Sequence, residues 1–330
     1  MAETAIITRA LTKRYGRVLA ADQVDLEVPV GAVCGFIGPN GAGKTTVIKM
    51  LVGLTPPTSG QAEVLGQPAG PGMLGALSSL GYLSQDPRFY EWMTGREFLR
   101  YTGSLYPWAE RPLTARVGDA LELAGISDAA DRRVASYSGG MRQRLGVAQA
   151  LMGEPRALIL DEPAASLDPL GRRDVIAMMG RLRNLGVTVF YSTHILEDVE
   201  RVADHVCMMR AGRLVRQARL RDLLQQEGSA AVQVEVHGDA VELIRRAGTL
   251  DFVERVQQDP SPDGVARLWL SVNDPQRARS ELPRLIVECG LELQLFRVGA
   301  ASLERVFLEA LAGEIDRQPV AAGAEADRWS

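Results

Sequence analysis

The most informative stretch of this chain is G-P-N-G-A-G-K-T-T, residues Gly38–Thr46. Its spacing, G-x-x-x-x-G-K-[ST], is that of a P-loop, whose glycines let consecutive backbone N–H groups curl around phosphates without a Cβ in the way. A glycine-rich turn that binds nothing is the alternative. The predicted nucleotide-binding residues of this stretch are Gly38, Pro39, Asn40, Gly41, Ala42, Gly43, Lys44, Thr45 and Thr46.

The side chains at the end of this stretch suit phosphates and their metal ion. Lys44 brings a compact cation to the β and γ phosphates, and the hydroxyl of Thr45 is a ligand for Mg²⁺. The helix that Thr45 and Thr46 open directs its positive end at the anion. Lysine is otherwise rare, since only Lys13 and Lys49 accompany Lys44 among the 37 Lys and Arg residues. The choice of lysine here therefore favours a nucleotide with Mg²⁺ over a structural turn.

Composition narrows the class of protein. A chain of 330 residues usually forms two domains, and a net charge of -4 offers no basic field to a phosphodiester backbone, so nucleic acid is not an expected partner. Cys34, Cys207 and Cys289 lack C-x-x-C spacing, which indicates buried thiols in a reducing cytosol. We find no signal peptide and no run of about 18 apolar residues, so the chain is not expected to cross a membrane.

A second candidate element follows a short apolar run, Ala157–Leu160. Such a run is typical of a strand buried on both faces, and it ends in Asp161 and Glu162. We interpret it as a Walker B element, in which Asp161 holds Mg²⁺ and Glu162 accepts a proton from the water that attacks the γ phosphate. The alternative, a solvated acidic turn, is disfavoured because two carboxylates beside a buried strand cost stability unless a cation is near.

His194 follows another apolar run, Val187–Tyr191, after Ser192 and Thr193. In isolation, such a histidine is more often a satisfied polar residue than a functional one. Because this strand is expected to neighbour the Walker B strand, His194 is predicted to reach the γ phosphate.

Ser138, Gly139 and Gly140 begin a helix and predict a second anion site. This site lies 94 residues after Lys44 (138 - 44). One phosphate group hardly needs two helix N-termini from one chain. We therefore expect two chains to supply the two sites.

In combination, these motifs resemble the ATP-binding subunits of ABC transporters over about residues 5–220. The resemblance implies that the signature, Tyr137–Met141, faces the P-loop of a second subunit, which is another copy or a paralogous ATPase subunit. Head-to-tail pairing then encloses two ATP molecules. Tyr137 and Met141 replace the more frequent Leu and Gln of the signature, a variant of the exporter-like branch often called ABC-2. The signature residues are Tyr137, Ser138, Gly139, Gly140 and Met141.

The resemblance assigns further roles. Tyr15 matches the aromatic residue that stacks on adenine, and Gln85 matches the Q-loop glutamine. Ser166, Leu167 and Asp168 match the D-loop that crosses the dimer interface, so Asp168 is expected at the nucleotide site. The implied catalytic residues are Glu162, His194 and Gln85, and the implied metal ligands are Thr45, Gln85 and Asp161.

Aromatic residues crowd the region after Gln85, which holds seven of the chain's 18 (7 Tyr, 7 Phe and 4 Trp). In the family, this helical subdomain receives a short cytoplasmic helix of the membrane subunit, so the resemblance implies a permease docking near residues 85–108. A subdomain building its own core is the alternative, and both can hold. The seven are Phe89, Tyr90, Trp92, Phe98, Tyr101, Tyr106 and Trp108.

The expected fold class is α/β, with a P-loop NTPase domain of the ABC ATPase type over residues 1–224. Its helical signature subdomain is expected at about 86–150. A linker is expected at 225–229, and residues 230–314 are expected to form a small α+β domain with the ferredoxin-like order β-α-β-β-α-β.

Three features of the C-terminal part are expected on local grounds. Pro283 falls inside the second helix of the small domain, where proline kinks or splits a helix. Apolar spacing of three and four predicts an amphipathic helix from Ser302 to Leu311. Residues 315–330, rich in Ala, Gly and charge, are expected to be disordered.

The motifs and the resemblance predict an ATP-hydrolysing subunit of an export-type ABC transporter, peripheral on the cytoplasmic membrane face and bound to a separate permease. An importer subunit is the first alternative, because some importer subunits carry an added C-terminal domain. A soluble ABC-type ATPase of translation or DNA repair is the second. Such translation factors carry two cassettes in tandem, and such repair proteins insert long coiled coils, neither of which appears in this sequence.

Overall fold

The computed structural model describes residues 3–72, 79–106, 112–165, 167–226, 230–259, 265–299, 303–304, 306–307 and 310. The chain separates into two compact units, Met1–Leu220 and Arg221–Ser330. No helix among the described residues has the length and apolarity that crossing a bilayer requires.

The first unit contains two sheets. Its strands are β1 (Thr4–Tyr15), β2 (Val18–Val24), β3 (Glu27–Pro29), β4 (Val33–Ile37), β5 (Ser59–Val64), β6 (Gln67–Pro68), β7 (Leu80–Leu83), β8 (Ala157–Leu160), β9 (Thr188–Thr193), β10 (His205–Arg210) and β11 (Arg213–Arg219). The smaller sheet is antiparallel in the order β2-β1-β5-β6, and β3 also pairs with β1.

The larger sheet has the order β11-β10-β4-β9-β8-β7 and carries the candidate site. All neighbours in it are parallel except β10 and β11, which form an antiparallel hairpin. Every residue of β4, β8 and β9 is buried, as continuous apolar runs in the middle of a parallel sheet require. Because β4, β8 and β9 are adjacent and parallel, the loops after them open at one edge of the sheet.

The first unit's helices pack their apolar side chains against the strands of the two sheets or against one another. They are α1 (Lys44–Leu51), α2 (Gly95–Gly103), α3 (Leu113–Leu123), α4 (Gly139–Leu151), α5 (Pro169–Asn184) and α6 (Leu196–Val202), and α7 (Leu220–Gln226) follows across the unit boundary. Helices α2, α3 and α4 build a separate apolar core with Phe98, Leu121 and Leu145 at its centre. A capping box of Thr94 and Glu97 starts α2.

The second unit confirms the ferredoxin-like pattern. Its elements are β12 (Ala230–His237), α8 (Val241–Ala247), β13 (Val253–Asp259), β14 (Val265–Val272), α9 (Pro275–Glu288) and β15 (Glu292–Gly299). The strand order is β13-β14-β12-β15, entirely antiparallel. Alternate residues of β12, Val232, Val234 and Val236, are fully buried, which is the period-two pattern of a sheet covered on one face.

Helix α9 is continuous through Pro283, so the proline does not split it, one of the two outcomes that the sequence predicts. Leu282, Leu285 and Ile286 beside it are buried in the apolar core. Their packing offsets the one backbone hydrogen bond that proline removes. The predicted linker also begins inside a helix, since α7 continues to Gln226.

Several sequence-based expectations fall outside the described residues. They concern Trp108, Ser166, linker residues 227–229 and the tail 315–330. Of the amphipathic helix expected from Ser302 to Leu311, the described residues Leu303, Glu304, Val306, Phe307 and Ala310 are helical.

Candidate functional site

The phosphate-binding stretch forms the turn between β4 and α1. Gly43 caps α1 in the left-handed region, with φ of 101°, and a Cβ there would overlap the carbonyl oxygen of Ala20. A Cβ on Gly38 would overlap the carbonyl oxygen of Met209. Only glycine therefore lets this loop pass between its neighbours, which fixes the direction of the N–H groups at the start of α1.

Lys44 is buried and folds back over its own loop. Its Nζ donates to the carbonyl oxygens of Gly38 at 2.6 Å and Pro39 at 3.2 Å, and lies 3.7 Å from Glu162 Oε1. Burial lowers the pKa of Lys44, and the carboxylates of Glu162 and Asp161 partly offset that shift. A buried ammonium held by neutral carbonyls is suited to an anion, because phosphate oxygens would compensate its desolvation far better.

A carboxylate suited to a metal ion lies at the end of β8. Asp161 is buried, and its Oδ1 accepts from Ser192 Oγ at 2.6 Å and from Thr45 Oγ1 at 3.3 Å. Its Oδ2 has no hydrogen-bond partner among the described residues. A buried carboxylate oxygen without a donor, beside a threonine hydroxyl, fits Mg²⁺, which prefers such oxygens. The residues of this corner that would hold Mg²⁺ are Thr45 and Asp161.

Glu162 is in contact with His194. Nδ1 of His194 lies 3.1 Å from Oε2 and 3.3 Å from Oε1 of Glu162. The Glu162 side chain is 8% exposed, whereas that of His194 is 47% exposed, so the histidine bridges the carboxylate and the surface. Glu162 also has a left-handed backbone, with φ of 50°. Such strain in a residue other than glycine persists only when its surroundings impose it.

A cavity of about 560 Å³ lies in front of these groups, and its lining includes the P-loop residues from Asn40 to Thr46. Gln85 lines it, as does Glu162. Tyr15 does not line the cavity, but it pairs across the sheet with Val18, which does. The ring of Tyr15 is half exposed, and Lys13 Nζ lies 5.1 Å from its centre. The lining residues are Val18, Leu19, Ala20, Asn40, Gly41, Ala42, Gly43, Lys44, Thr45, Thr46, Gln85, Glu162, Ala211 and Gly212.

The signature residues do not line this cavity. Ser138 is exposed and caps α4, its Oγ accepting from the N–H of Met141 at 3.3 Å. Tyr137 is instead part of the helical core, where its hydroxyl donates to the carbonyl of Ala129 at 2.7 Å. Asp168 also lies off the cavity and caps α5 by accepting from the N–H of Gly171 at 2.6 Å. The two elements that the sequence predicts to bind anions therefore lie at different places.

Two buried residues at the site received no role from the sequence. Ser192 contacts both Asp161 and Glu162, and the amide of Gln143, in α4, lies 3.5 Å from the Glu162 carbonyl. The available signal was weak: a polar residue closing an otherwise apolar strand for Ser192, and an amide two residues after the signature for Gln143. Their contacts cross between elements and cannot be read from local spacing.

Known proteins resemble this chain in sequence and in fold. The ABC transporter family matches residues 21–165. YxlF of Bacillus subtilis (strain 168), an uncharacterised ABC transporter ATP-binding protein, is 37% identical over 311 residues, covering 91% of this chain and 97% of that protein. Nod factor export ATP-binding protein I of Cupriavidus metallidurans is 38% identical over 247 residues, covering 73% and 80%.

The solved structure of an ATP binding subunit of an ABC transporter matches with a TM-score of 0.62 and 29% identity. The match covers 68% of this chain and 94% of the chain in the solved structure. These likenesses extend over the P-loop, the Walker B strand and the helical core. By sequence, by fold and by the residues gathered around the cavity, this chain belongs to the ABC transporter family, as one of its ATP-binding subunits.

Proposed function

We propose that this chain binds and hydrolyses ATP as one half of a head-to-tail dimer that encloses two Mg²⁺-ATP and drives export through a separate membrane permease. The observation that carries the proposal is the split between its two anion sites. Lys44, Asp161 and Glu162 meet at one place, whereas the exposed helix start at Ser138–Gly140 does not line the same cavity. A second chain would bring its own Ser138 to this cavity and complete it.

Each side chain of the site has a distinct part in this proposal. Lys44 exchanges the carbonyls of Gly38 and Pro39 for phosphate oxygens. Glu162 accepts the proton of the attacking water, and His194 holds the Glu162 carboxylate in place through Nδ1. When bound, Mg²⁺ neutralises charge on the phosphates. Because this chain retains all of these groups together with Ser138, two copies would form two competent sites.

An exposed aromatic surface supports the proposed permease contact. Tyr90, Trp92, Tyr101 and Leu105 are 39%, 68%, 43% and 61% exposed. Tyr90 is in ring contact with Trp92 at 4.9 Å and with Tyr101 at 5.5 Å between centroids. Such clustered aromatic side chains are typical of interface centres. We propose that a cytoplasmic helix of the permease docks on this surface, which places the subunit at the cytoplasmic membrane face.

Export is proposed over import because a relative that covers 73% of this chain is named for Nod factor export. A requirement for a substrate-binding protein would favour the importer alternative instead. An ABC-type ATPase that works without a permease is the remaining alternative.

The proposal is tested by tagging this chain, extracting native membranes in mild detergent and measuring ATPase activity of what copurifies. We expect a polytopic membrane protein in constant ratio, whose presence changes the ATPase rate. Full activity confined to the soluble fraction, with no membrane partner, would contradict the transporter function.

A further inference from the structure

One hydroxyl joins the carboxylate suited to the metal and the proposed base. Ser192 Oγ donates to Asp161 Oδ1 at 2.6 Å and accepts from the backbone N–H of Glu162 at 2.9 Å. Ser192 is fully buried near the end of β9, beside β8, from which Asp161 and Glu162 follow directly. Both of its polar functions are therefore used, and both are used on residues of the site.

The first of these bonds decides which oxygen of Asp161 is available to a cation. An O–H···O⁻ distance of 2.6 Å is in the range of a charge-assisted hydrogen bond, and it holds the carboxylate by Oδ1. Thr45 Oγ1 adds a longer contact to the same oxygen. Oδ2 is consequently the oxygen left without a partner, so Ser192 orients the carboxylate for a metal ion without touching that ion.

The second bond holds a strained backbone. Glu162 has a φ of 50°, a conformation that L residues other than Asn and Asp rarely adopt. Its N–H is directed at Ser192 Oγ, which fixes the orientation of the peptide unit between Asp161 and Glu162. The direction of the Glu162 side chain, and hence its contact with His194, depends on that orientation.

We propose that Ser192 is a positioning residue that couples Mg²⁺ coordination to the alignment of the base. The inference rests on the proposed function, since it concerns the same Mg²⁺-ATP site. The hydrogen bond that Ser192 donates to Asp161 orients the carboxylate that would bind the metal ion. The hydrogen bond that Ser192 accepts from the Glu162 N–H orients the proposed base. Loss of this one hydroxyl should therefore impair metal binding and turnover together, while leaving the phosphate loop intact.

The test compares Ser192→Ala, Ser192→Thr and the control Thr188→Val. Thr188 is equally buried and lies in the same strand, but at the end opposite to Ser192. Its hydroxyl likewise accepts a hydrogen bond from a backbone N–H, that of Gly31 at 2.9 Å. For each variant, four quantities are measured: Mn²⁺ affinity in the presence of ADP by electron paramagnetic resonance, nucleotide affinity in EDTA, kcat, and the melting temperature.

For Ser192→Ala we expect Mn²⁺ affinity and kcat to fall by about 10-fold or more each, in line with changes to residues that orient metal ligands. Nucleotide affinity in EDTA should stay within about twofold of the wild type, because the P-loop is untouched. Ser192→Thr should restore Mn²⁺ affinity, since it keeps the hydroxyl. Thr188→Val should lower the melting temperature but leave Mn²⁺ affinity and kcat within about twofold.

The inference is overturned if Ser192→Ala matches the wild type in Mn²⁺ affinity, or if Thr188→Val lowers Mn²⁺ affinity and kcat equally, because a general loss of stability then explains both. A wild-type chain without ATP turnover contradicts the proposed function alone. In that case the Mn²⁺ measurement still decides the role of Ser192.

Discussion

At the residue scale, Glu162 is the most constrained side chain of the site. Lys44, His194 and Ser192 all contact it, and its backbone is left-handed. A carboxylate that is 8% exposed and contacted in this way suits the role of proton acceptor that we propose for it. Its identity as the base can be examined by removing the charge alone.

Glu162→Gln should retain ATP binding and lose turnover by about 100-fold or more, because an amide cannot accept the proton of water. Nucleotide binding is measured by fluorescence titration, turnover by phosphate release, and association by gel filtration in ATP, where a dimer should accumulate. Glu197→Gln, an exposed change in α6, is the control and should behave as the wild type. Normal hydrolysis by Glu162→Gln would show that another group is the base.

Gly43 and Gly41, two of the three P-loop glycines, permit a matched comparison. Gly43→Ala should lower the free energy of unfolding by roughly 2 kcal/mol or more, since the new methyl group meets the Ala20 carbonyl in addition to an unfavourable φ. Gly41 has a φ of 80°, but a Cβ there would meet open space. Gly41→Ala should therefore lower the free energy of unfolding by only about 1 kcal/mol. Urea unfolding measures both, and equal losses would refute a steric requirement at Gly43.

How far the sequence predicts the site depends on the range of the contact. Asp161, Glu162 and the P-loop residues were recognisable because each stands next to a buried strand or a helix start, and spacing along the chain records such local order. Ser192 and Gln143 were not, because their partners are reached across the sheet or from a helix. Nothing in local spacing encodes those contacts.

At the scale of elements, the mostly parallel sheet of the first unit was predictable, whereas the antiparallel sheet of that unit was not. Strands β4, β8 and β9 are continuous apolar runs. In contrast, β1 has a mixed burial pattern with register shifts against β2, β3 and β5, so no simple period marks it. The ferredoxin-like unit was predictable because alternation in β12 is clear. The continuity of α9 through Pro283 depends on packing that the sequence alone does not display.

The ion pair between α5 and α6 tests how these elements hold the site. Asp198 is almost fully buried and accepts from Arg172 Nε at 2.7 Å, whereas Glu27 pairs with Arg9 at a surface where both side chains are at least half exposed. Asp198→Ala should cost about 3–5 kcal/mol, because it leaves a guanidinium without its charge partner. Glu27→Ala should cost less than about 1 kcal/mol. Denaturant unfolding distinguishes the two, and equal values would contradict this account.

The aromatic surface can be separated from general apolar exposure. Trp92 and Leu185 are both 68% exposed, but only Trp92 lies in the aromatic cluster. Trp92→Ala should change stability by less than about 0.5 kcal/mol and leave basal ATPase activity intact, yet reduce copurification of the permease. Leu185→Ala should leave copurification unchanged. If both variants copurify with the permease as the wild type does, the docking surface lies elsewhere.

At the scale of the whole molecule, one chain carries all the residues predicted for an ATP site, but it does not bring them all to one place. The cavity holds the P-loop, Gln85 and Glu162, while Ser138 caps an exposed helix start outside it. In the dimer that we propose, two-fold pairing of identical chains would supply each cavity with the partner's helix. Two variants with different defects should then correct each other, which a chain working alone cannot do.

The most direct test mixes two inactive variants, Lys44→Ala and Ser138→Arg, and measures ATP turnover after subunit exchange. Either variant alone leaves no intact site in a head-to-tail dimer. A mixed dimer pairs the intact P-loop of the Ser138→Arg chain with the intact Ser138 of the Lys44→Ala chain. We expect about a quarter of wild-type turnover, since random pairing makes half of the dimers mixed and each has one intact site of two.

Mixing Lys44→Ala with Glu162→Gln should recover nothing, because both defects lie on the same side of a site. Recovery in the first mixture alone supports shared sites, and its absence, with subunit exchange shown to occur, would contradict them.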